Sequence, residues 1–161
     1  MIVIVMGVVG SGKTTIGSLL AAELGWQFAD ADEYHPQSNV EKIRHGIPLS
    51  DADREPWLER LRAEITHWIA ADRDVVLACS ALKSAYRKEL AVGPQVRFVY
   101  LKGSGGLIAD RLRSRHGHFA DQKILDSQFG DLEEPKEAVT VEITGTPEQI
   151  VAEVRQKLGI A

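Results

Sequence analysis

Gly7-Val8-Val9-Gly10-Ser11-Gly12-Lys13-Thr14 is the stretch whose reading decides the fold. The octapeptide fits G-x-x-x-x-G-K-[ST], the pattern of a phosphate-binding loop. Ile2-Val3-Ile4-Val5-Met6 precedes it, an unbroken apolar run of the kind a strand buried on both faces shows. Ile16, Leu19, Leu20 and Leu24 follow at helical spacing. The loop therefore lies between a strand's end and a helix's start, where its mechanism requires it. Glycines let backbone N–H groups curl around phosphate oxygens with no Cβ in the way. The helix N-terminus adds partial positive charge. Gly7, Val8, Val9, Gly10, Ser11, Gly12, Lys13, Thr14 and Thr15 are accordingly expected to hold nucleotide phosphates. Lys13 is expected to reach the β- and γ-phosphates, and the Thr14 hydroxyl to ligate Mg²⁺.

Outward from the loop, strand and helix patterns alternate to the end of the chain. Further strands are expected at 27–30, 74–79, 96–101 and 139–143. Helices are expected at 39–45, 82–90 and 107–115, with another capped by Asp121 and bearing Ile124, Leu125, Phe129 and Leu132. Trp57, Leu58, Leu61, Ile65, Trp68 and Ile69 give one more helix an apolar face, with Asp51 or Asp53 as its cap and Pro56 in its first turn. Residues 116–120 read as a loop. Thr146-Pro147-Glu148-Gln149 is a capping box with proline at the first helical position. Alternation of this kind implies a parallel sheet covered on both faces. The expected architecture is α/β: three layers with a five-stranded parallel sheet carrying the phosphate loop, in one domain over 1–161.

The bulk numbers agree with a globule of this size. The chain has 161 residues, 44% hydrophobic and 26% charged, enough for a real core. Its net charge of -4, with no basic run interleaved with aromatics, argues against nucleic acid as a partner. No apolar stretch approaches the ~18 residues of a membrane span. The single cysteine, Cys79, excludes an internal disulfide, and Met1 leads directly into the first strand, so a cytoplasmic location is expected.

Ligands in open α/β sheets bind beyond the carboxyl ends of the strands. Polar residues just after strands are therefore the ones to weigh. Asp30 and Asp32 are separated by one residue, and extended geometry would project both the same way. One carboxylate can hold Mg²⁺, directly or through water, and the other can accept the proton of an attacking hydroxyl. Asp30, nearer the loop, is expected on Mg²⁺, and Asp32 as the base. Arg54, Lys83 and Arg87 are candidates for an anionic substrate, the last two being four apart on one expected helix face. Arg111 and Arg115 also lie four apart and are candidates for adenine or for charge on the transferred group. His116 and His118 lack a cysteine or carboxylate at ligand spacing, so they do not make a metal site.

These residues resemble a known family. The loop, then Asp30-x-Asp32-x-x-His35-Pro36-x-x-Asn39-x-x-Lys42, then Gly46-x-Pro48-Leu49-x-Asp51-x-Asp53-Arg54-x-Pro56-Trp57-Leu58, are similar to the bacterial and eukaryotic gluconate kinases. Cys79-Ser80-Ala81-Leu82-Lys83-x-x-Tyr86-Arg87, Arg111-Leu112-x-x-Arg115-x-Gly117-His118-Phe119 and Ser127-Gln128-Phe129-x-x-Leu132-Glu133-x-Pro135 continue the resemblance over nearly the whole chain. It implies kinship with shikimate and nucleoside monophosphate kinases, hence a three-layer P-loop kinase fold with a short lid at about 104–121, and transfer of phosphate from ATP, with Mg²⁺, to the 6-hydroxyl of D-gluconate. It also implies a homodimer and adds His35 and Gln128 to the expected substrate-binding set of Asp32, Arg54, Lys83 and Arg87. The expected catalytic set is Lys13, Asp32 and Arg115, with Arg111 on the nucleotide. The chain departs from the family's habit at Ile43, His116 and Ala120-Asp121. Cys79-Ser80 also stand where many ATPases end the third strand with a Mg²⁺-holding Asp, which shifts that burden to Thr14 and Asp30.

Three other readings compete: another small-acid kinase, a nucleotide-dependent switch, and a polynucleotide-handling ATPase. A GTPase switch needs an Asn-Lys-x-Asp base-reading motif, which the chain lacks. The acidic balance and small size disfavour the third.

Overall fold

The computed structural model describes residues 1–115 and 119–160, with the side chains of 115 and 119–121 outside that description. Five strands form one sheet: β1 (Ile2–Met6), β2 (Gln27–Asp30), β3 (Val75–Ala78), β4 (Val96–Lys102) and β5 (Val139–Glu142). Their order across the sheet is β2-β3-β1-β4-β5, and every pairing is parallel. The apolar run of β1 is explained by its central place. All five of its residues are buried, with Val3 and Val5 in one core and Ile2, Ile4 and Met6 in the other.

Helices cover both faces. On one side α1 (Lys13–Leu24), α5 (Gly105–Arg115) and α7 (Pro147–Leu158) contribute Ile16, Leu20, Ile108, Leu112, Ile150 and Val154 to the core. On the other, α3 (Asp51–Ala70) and α4 (Ser84–Leu90) contribute Trp57, Leu61, Ile65, Trp68, Tyr86 and Leu90. A 3₁₀ turn (Ala31–Tyr34) and α2 (Gln37–Arg44) follow β2, and α6 (Phe119–Asp131) follows α5. The chain leaves β1 toward β2 and β3 and then crosses to β4, so the strand order switches at the end of β1, where the phosphate loop sits.

Several expected boundaries move, each for a local reason. The cap of α3 is Ser50, whose hydroxyl accepts from the Asp53 N–H while Asp53 returns a bond to the Ser50 N–H. With Asp51 as the first helical residue, Pro56 stands in the second turn, not the first. Helix α4 starts at Ser84, so Lys83 is its cap residue and shares no helix face with Arg87. Helix α6 begins at Phe119, ahead of the expected Asp121 cap. Of the expected loop at 116–120, residues 116–118 lie outside the described residues and 119–120 belong to α6.

Candidate active site

The phosphate loop closes because glycine takes backbone angles that other residues resist. Gly12, the residue before α1, has φ +100°, and Gly10 has φ +79° with Leu112 so close that a Cβ would meet its Cγ at 2.8 Å. The Gly7 N–H donates to Ser80 O and the Ser11 N–H to Val8 O. The amides of Gly10, Gly12, Lys13 and Thr14 make no hydrogen bond to another described residue, so they can receive phosphate oxygens. The Ser11 hydroxyl, 1% exposed, likewise has no partner. The Lys13 ammonium donates to Val8 O at 3.1 Å. Burial lowers its pKa, opposed by the negative charge of the Asp32 and Asp30 carboxylates. Cys79, buried at the end of β3, has its thiol pushed up to about 12 by burial and stays neutral.

Asp30 and Asp32 are not a matched pair on an extended strand. Asp30 caps the 3₁₀ turn: its Oδ1 accepts the Asp32 N–H at 2.9 Å, and its Oδ2 accepts the Thr14 hydroxyl at 3.3 Å. Asp32 lies within the turn. Both line a cavity of about 290 Å³ that also takes in Lys13, His35, Arg54 and Gln128. Burial raises the pKa of Asp32, the Lys13 charge opposes this, and Asp30 reinforces it. A carboxylate so placed is more basic than usual, the property a proton acceptor needs.

His35 and Arg54 form the cavity's other wall. The His35 ring stacks on Trp57 with centroids 4.6 Å apart and planes 13° from parallel. Its Nδ1 lies 3.1 Å from the Asn39 amide nitrogen, which also donates to Asp53 O at 2.7 Å. Burial, and then the Arg54 charge, lower the His35 pKa to about 4, so the ring is neutral near pH 7 and Nδ1 accepts from Asn39. The Arg54 guanidinium is 7% exposed. Its Nη1 donates to the Tyr86 hydroxyl and to Asp131 Oδ2, both at 3.0 Å. Tyr86 in turn donates to Asp51, which also pairs with Lys83 at 2.9 Å. Among the described residues the partners of Arg54 use one nitrogen, leaving Nη2 and Nε for a ligand in the cavity.

Lys83 and Arg87 fall outside the cavity lining. Arg87 spends its guanidinium on three backbone carbonyls, of Ala81, Leu82 and Glu133, and so fixes the loop ahead of α4. Arg111 donates to Ile143 O at 2.6 Å and lines a second cavity of about 470 Å³ on the far side of the phosphate loop. Thr15, Pro147 and Ile150 also line it, which suits a nucleoside whose phosphates lie on the loop. The Arg115 side chain and the residues His116 and His118 lie outside the described residues. Asn39, Tyr86 and Asp131 carry polar contacts to the site that sequence reasoning did not assign. Asp131, one helical turn beyond Gln128, was the one detectable by spacing.

The donor set fits ATP and Mg²⁺. Unpaired loop amides and a buried orphan hydroxyl await an anion. Among the described residues no group of three His, Cys, Asp or Glu can enclose a metal. Thr14 and Asp30 offer two oxygens side by side, the pattern of Mg²⁺ held jointly by protein, water and phosphate.

The family model of shikimate kinase matches residues 9–158. A probable gluconokinase of Mus musculus is 42% identical, over 98% of this chain and 97% of that protein. The gluconokinase of Gluconobacter oxydans is 46% identical, over 82% of this chain and 75% of its own length. Among solved structures, a gluconokinase from Sinorhizobium meliloti superposes with a TM-score of 0.87 at 38% identity, over 98% of this chain and 90% of that one. Shikimate kinase from Aquifex aeolicus shares the fold, with a TM-score of 0.61 at 21% identity over 99% and 96%. A phosphate loop with its amides open, an acid of raised basicity opposite it and a buried arginine beside both are thus found in a chain that belongs to the shikimate kinase-type P-loop kinases and, within them, to the gluconokinases.

Proposed function

We propose that the chain transfers the γ-phosphoryl group of ATP to the 6-hydroxyl of D-gluconate, giving 6-phospho-D-gluconate. The observation that carries this reading is the buried Arg54, with donors to spare, in the same cavity as Lys13 and Asp32. A carboxylate at one end of a small polyol would pair with Arg54, and its far hydroxyl would lie toward Asp32 and the phosphate loop. The neutral His35 ring, clamped by Trp57 and Asn39, offers a hydrogen-bonding edge to the polyol between them.

Phosphoryl transfer asks chiefly for positioning and charge stabilisation. The loop amides and Lys13 hold the phosphates and meet the charge that spreads over the equatorial oxygens. Asp32 orients the attacking hydroxyl and takes its proton as the new P–O bond forms. Arg111 holds the nucleoside side, and Arg115 is assigned to the transferred group. Mg²⁺, held through Thr14 and Asp30, supplies charge neutralisation between the phosphates when bound. The same reading takes residues 1–161 as one kinase domain with a lid near 104–121, working in the cytoplasm as a homodimer. The lone buried cysteine supports a reducing compartment, and no helix among the described residues is long and apolar enough to cross a membrane.

A coupled ATP assay across gluconate, other sugar acids, shikimate and nucleoside monophosphates tests the substrate. Phosphorus–proton NMR of the product then tests the position, with coupling expected to the C6 protons. Turnover of shikimate or a nucleotide in preference to gluconate would overturn the reading.

A further inference from the structure

Gln128 connects α6 to the phosphate loop: its side-chain carbonyl accepts the Val9 N–H at 2.6 Å. The other loop amides behave differently, being either bonded to nearby backbone or left open for phosphate. A glutamine side chain carries an acceptor and a two-proton donor on the same carbon. With Oε1 held on Val9, Nε2 is confined to the mouth of the loop, and it has no partner among the described residues. Gln128 lines the 290 Å³ cavity together with Lys13, Asp32 and Arg54. One turn further along the same helix face, Asp131 is paired with the buried Arg54 at 3.0 Å. Two anchors a turn apart, one on the phosphate loop and one on the proposed carboxylate-binding arginine, fix where Gln128 stands. A simple structural tie would need only the carbonyl.

We propose that Gln128 is a further catalytic residue of the transfer. Its carbonyl completes the phosphate loop at Val9, and its NH₂ donates to an equatorial oxygen of the phosphoryl group in transit. The inference rests on the kinase reading above. In the step, the bond from the γ-phosphorus to the bridging oxygen breaks, the bond from that phosphorus to the acceptor oxygen forms, and Asp32 takes the hydroxyl proton. Gln128 gains and loses no proton. Its N–H is aligned in advance with charge that grows in the transition state.

The test uses the full chain and whichever sugar acid the wild type turns over, so a wrong substrate and a wrong role for Gln128 give separate results. Gln128→Met removes both groups, and kcat should fall by roughly 100-fold or more, the scale of one lost transition-state donor. The KM for the sugar acid should hold, and the Tm should fall modestly because the Val9 N–H loses its acceptor. Gln128→Glu keeps an acceptor but is charged and lacks a donor near pH 8. Its activity relative to wild type should rise as pH is lowered toward 5.5 and the carboxyl regains an O–H. A Gln128→Met enzyme with kcat within about threefold of wild type would overturn the role, since loss of a preorganised donor costs far more than that. So would tighter ATP binding by Gln128→Met in calorimetry, which would make the carbonyl a plug in the loop. A pH-independent ratio for Gln128→Glu would remove the donor function. If Gln128→Met proves unfolded by circular dichroism, Gln128→Asn, which withdraws both groups by one methylene, carries the same kcat expectation and the same refutation.

Discussion

Lys13, Asp32 and His35 show how burial sets the charge state of single residues around one cavity. Lys13 gains from the two carboxylates of Asp32 and Asp30 but loses more by leaving water, so in the proposed transfer it meets phosphate as a desolvated cation. Lys13→Met should leave a folded protein with kcat lower by about 100-fold or more, the scale of losing one preorganised charge donor. Steady-state kinetics together with a thermal melt check it. Burial raises Asp32, so wild-type kcat should decline as pH falls through that raised value, where the carboxylate accepts its proton from water. Asp32→Asn keeps the shape and abolishes the basicity, so it should depress kcat and flatten that acid limb while ATP binding stays nearly unchanged. His35 carries the opposite sign. Its folded pKa of about 4 lies below the ordinary 6.5 of an exposed imidazole, so the unfolded chain binds the extra proton first. Stability is therefore unaffected above 6.5 and is lost progressively as pH falls from 6.5 to 4. His35→Gln should remove that part of the acid slope in Tm measured over the same window.

The elements were legible in the chain to the degree that their signals are local. Strand β1 declared itself by five consecutive apolar residues, and α7 by a capping box that forms as written, with Thr146 and Gln149 exchanging bonds. The start of α3 was misread because Asp51, Asp53 and Ser50 are all good caps, and the choice among them is made by tertiary partners. Asp53 accepts Lys42 at 2.9 Å and Asp51 accepts Tyr86 and Lys83, which leaves Ser50 to cap. Ser50→Ala should accordingly cost about 1 kcal/mol of stability, the usual worth of an N-cap, seen as a lower midpoint in urea with an unchanged slope. The site was legible for the residues of the loop and of the Asp30-to-Arg54 stretch, where motif and position coincide. It was not legible for the division between Arg54, Lys83 and Arg87. All three are basic, and only the fold shows that Arg87 is consumed by backbone carbonyls and Lys83 by Asp51. The Asp30-Asp32 spacing suggested a shared direction, but the 3₁₀ turn begins at Ala31 and separates their tasks.

Across the whole molecule, the two cavities lie on either side of the phosphate loop, one floored by Asp32 and Arg54 and the other by Arg111 and Pro147. Exposed apolar side chains, Ile43 at 43% and Ile47 at 48%, line the first cavity together with Leu112 of α5 and Ile124 of α6. Ligands that draw these walls together would bury apolar surface and exclude water from the transfer. Hydrogen exchange should therefore slow in α2, α5 and α6 when ATP and the sugar acid bind together, more than with either alone. Equal protection by ATP alone would leave closure independent of the acceptor. The central claim is that one buried arginine selects a carboxylate-bearing polyol for phosphorylation. It is tested most directly by kcat/KM for gluconate against glucose, which lacks the carboxylate. Arg54 keeps Asp131 as its partner in either case, so glucose forgoes only the bonds of its spare donors to a carboxylate, about 1.5–3 kcal/mol, and gluconate should be favoured by roughly 10-fold to 150-fold. Arg54→Met should collapse that ratio. Equal kcat/KM for the two sugars in the wild-type enzyme would contradict the account.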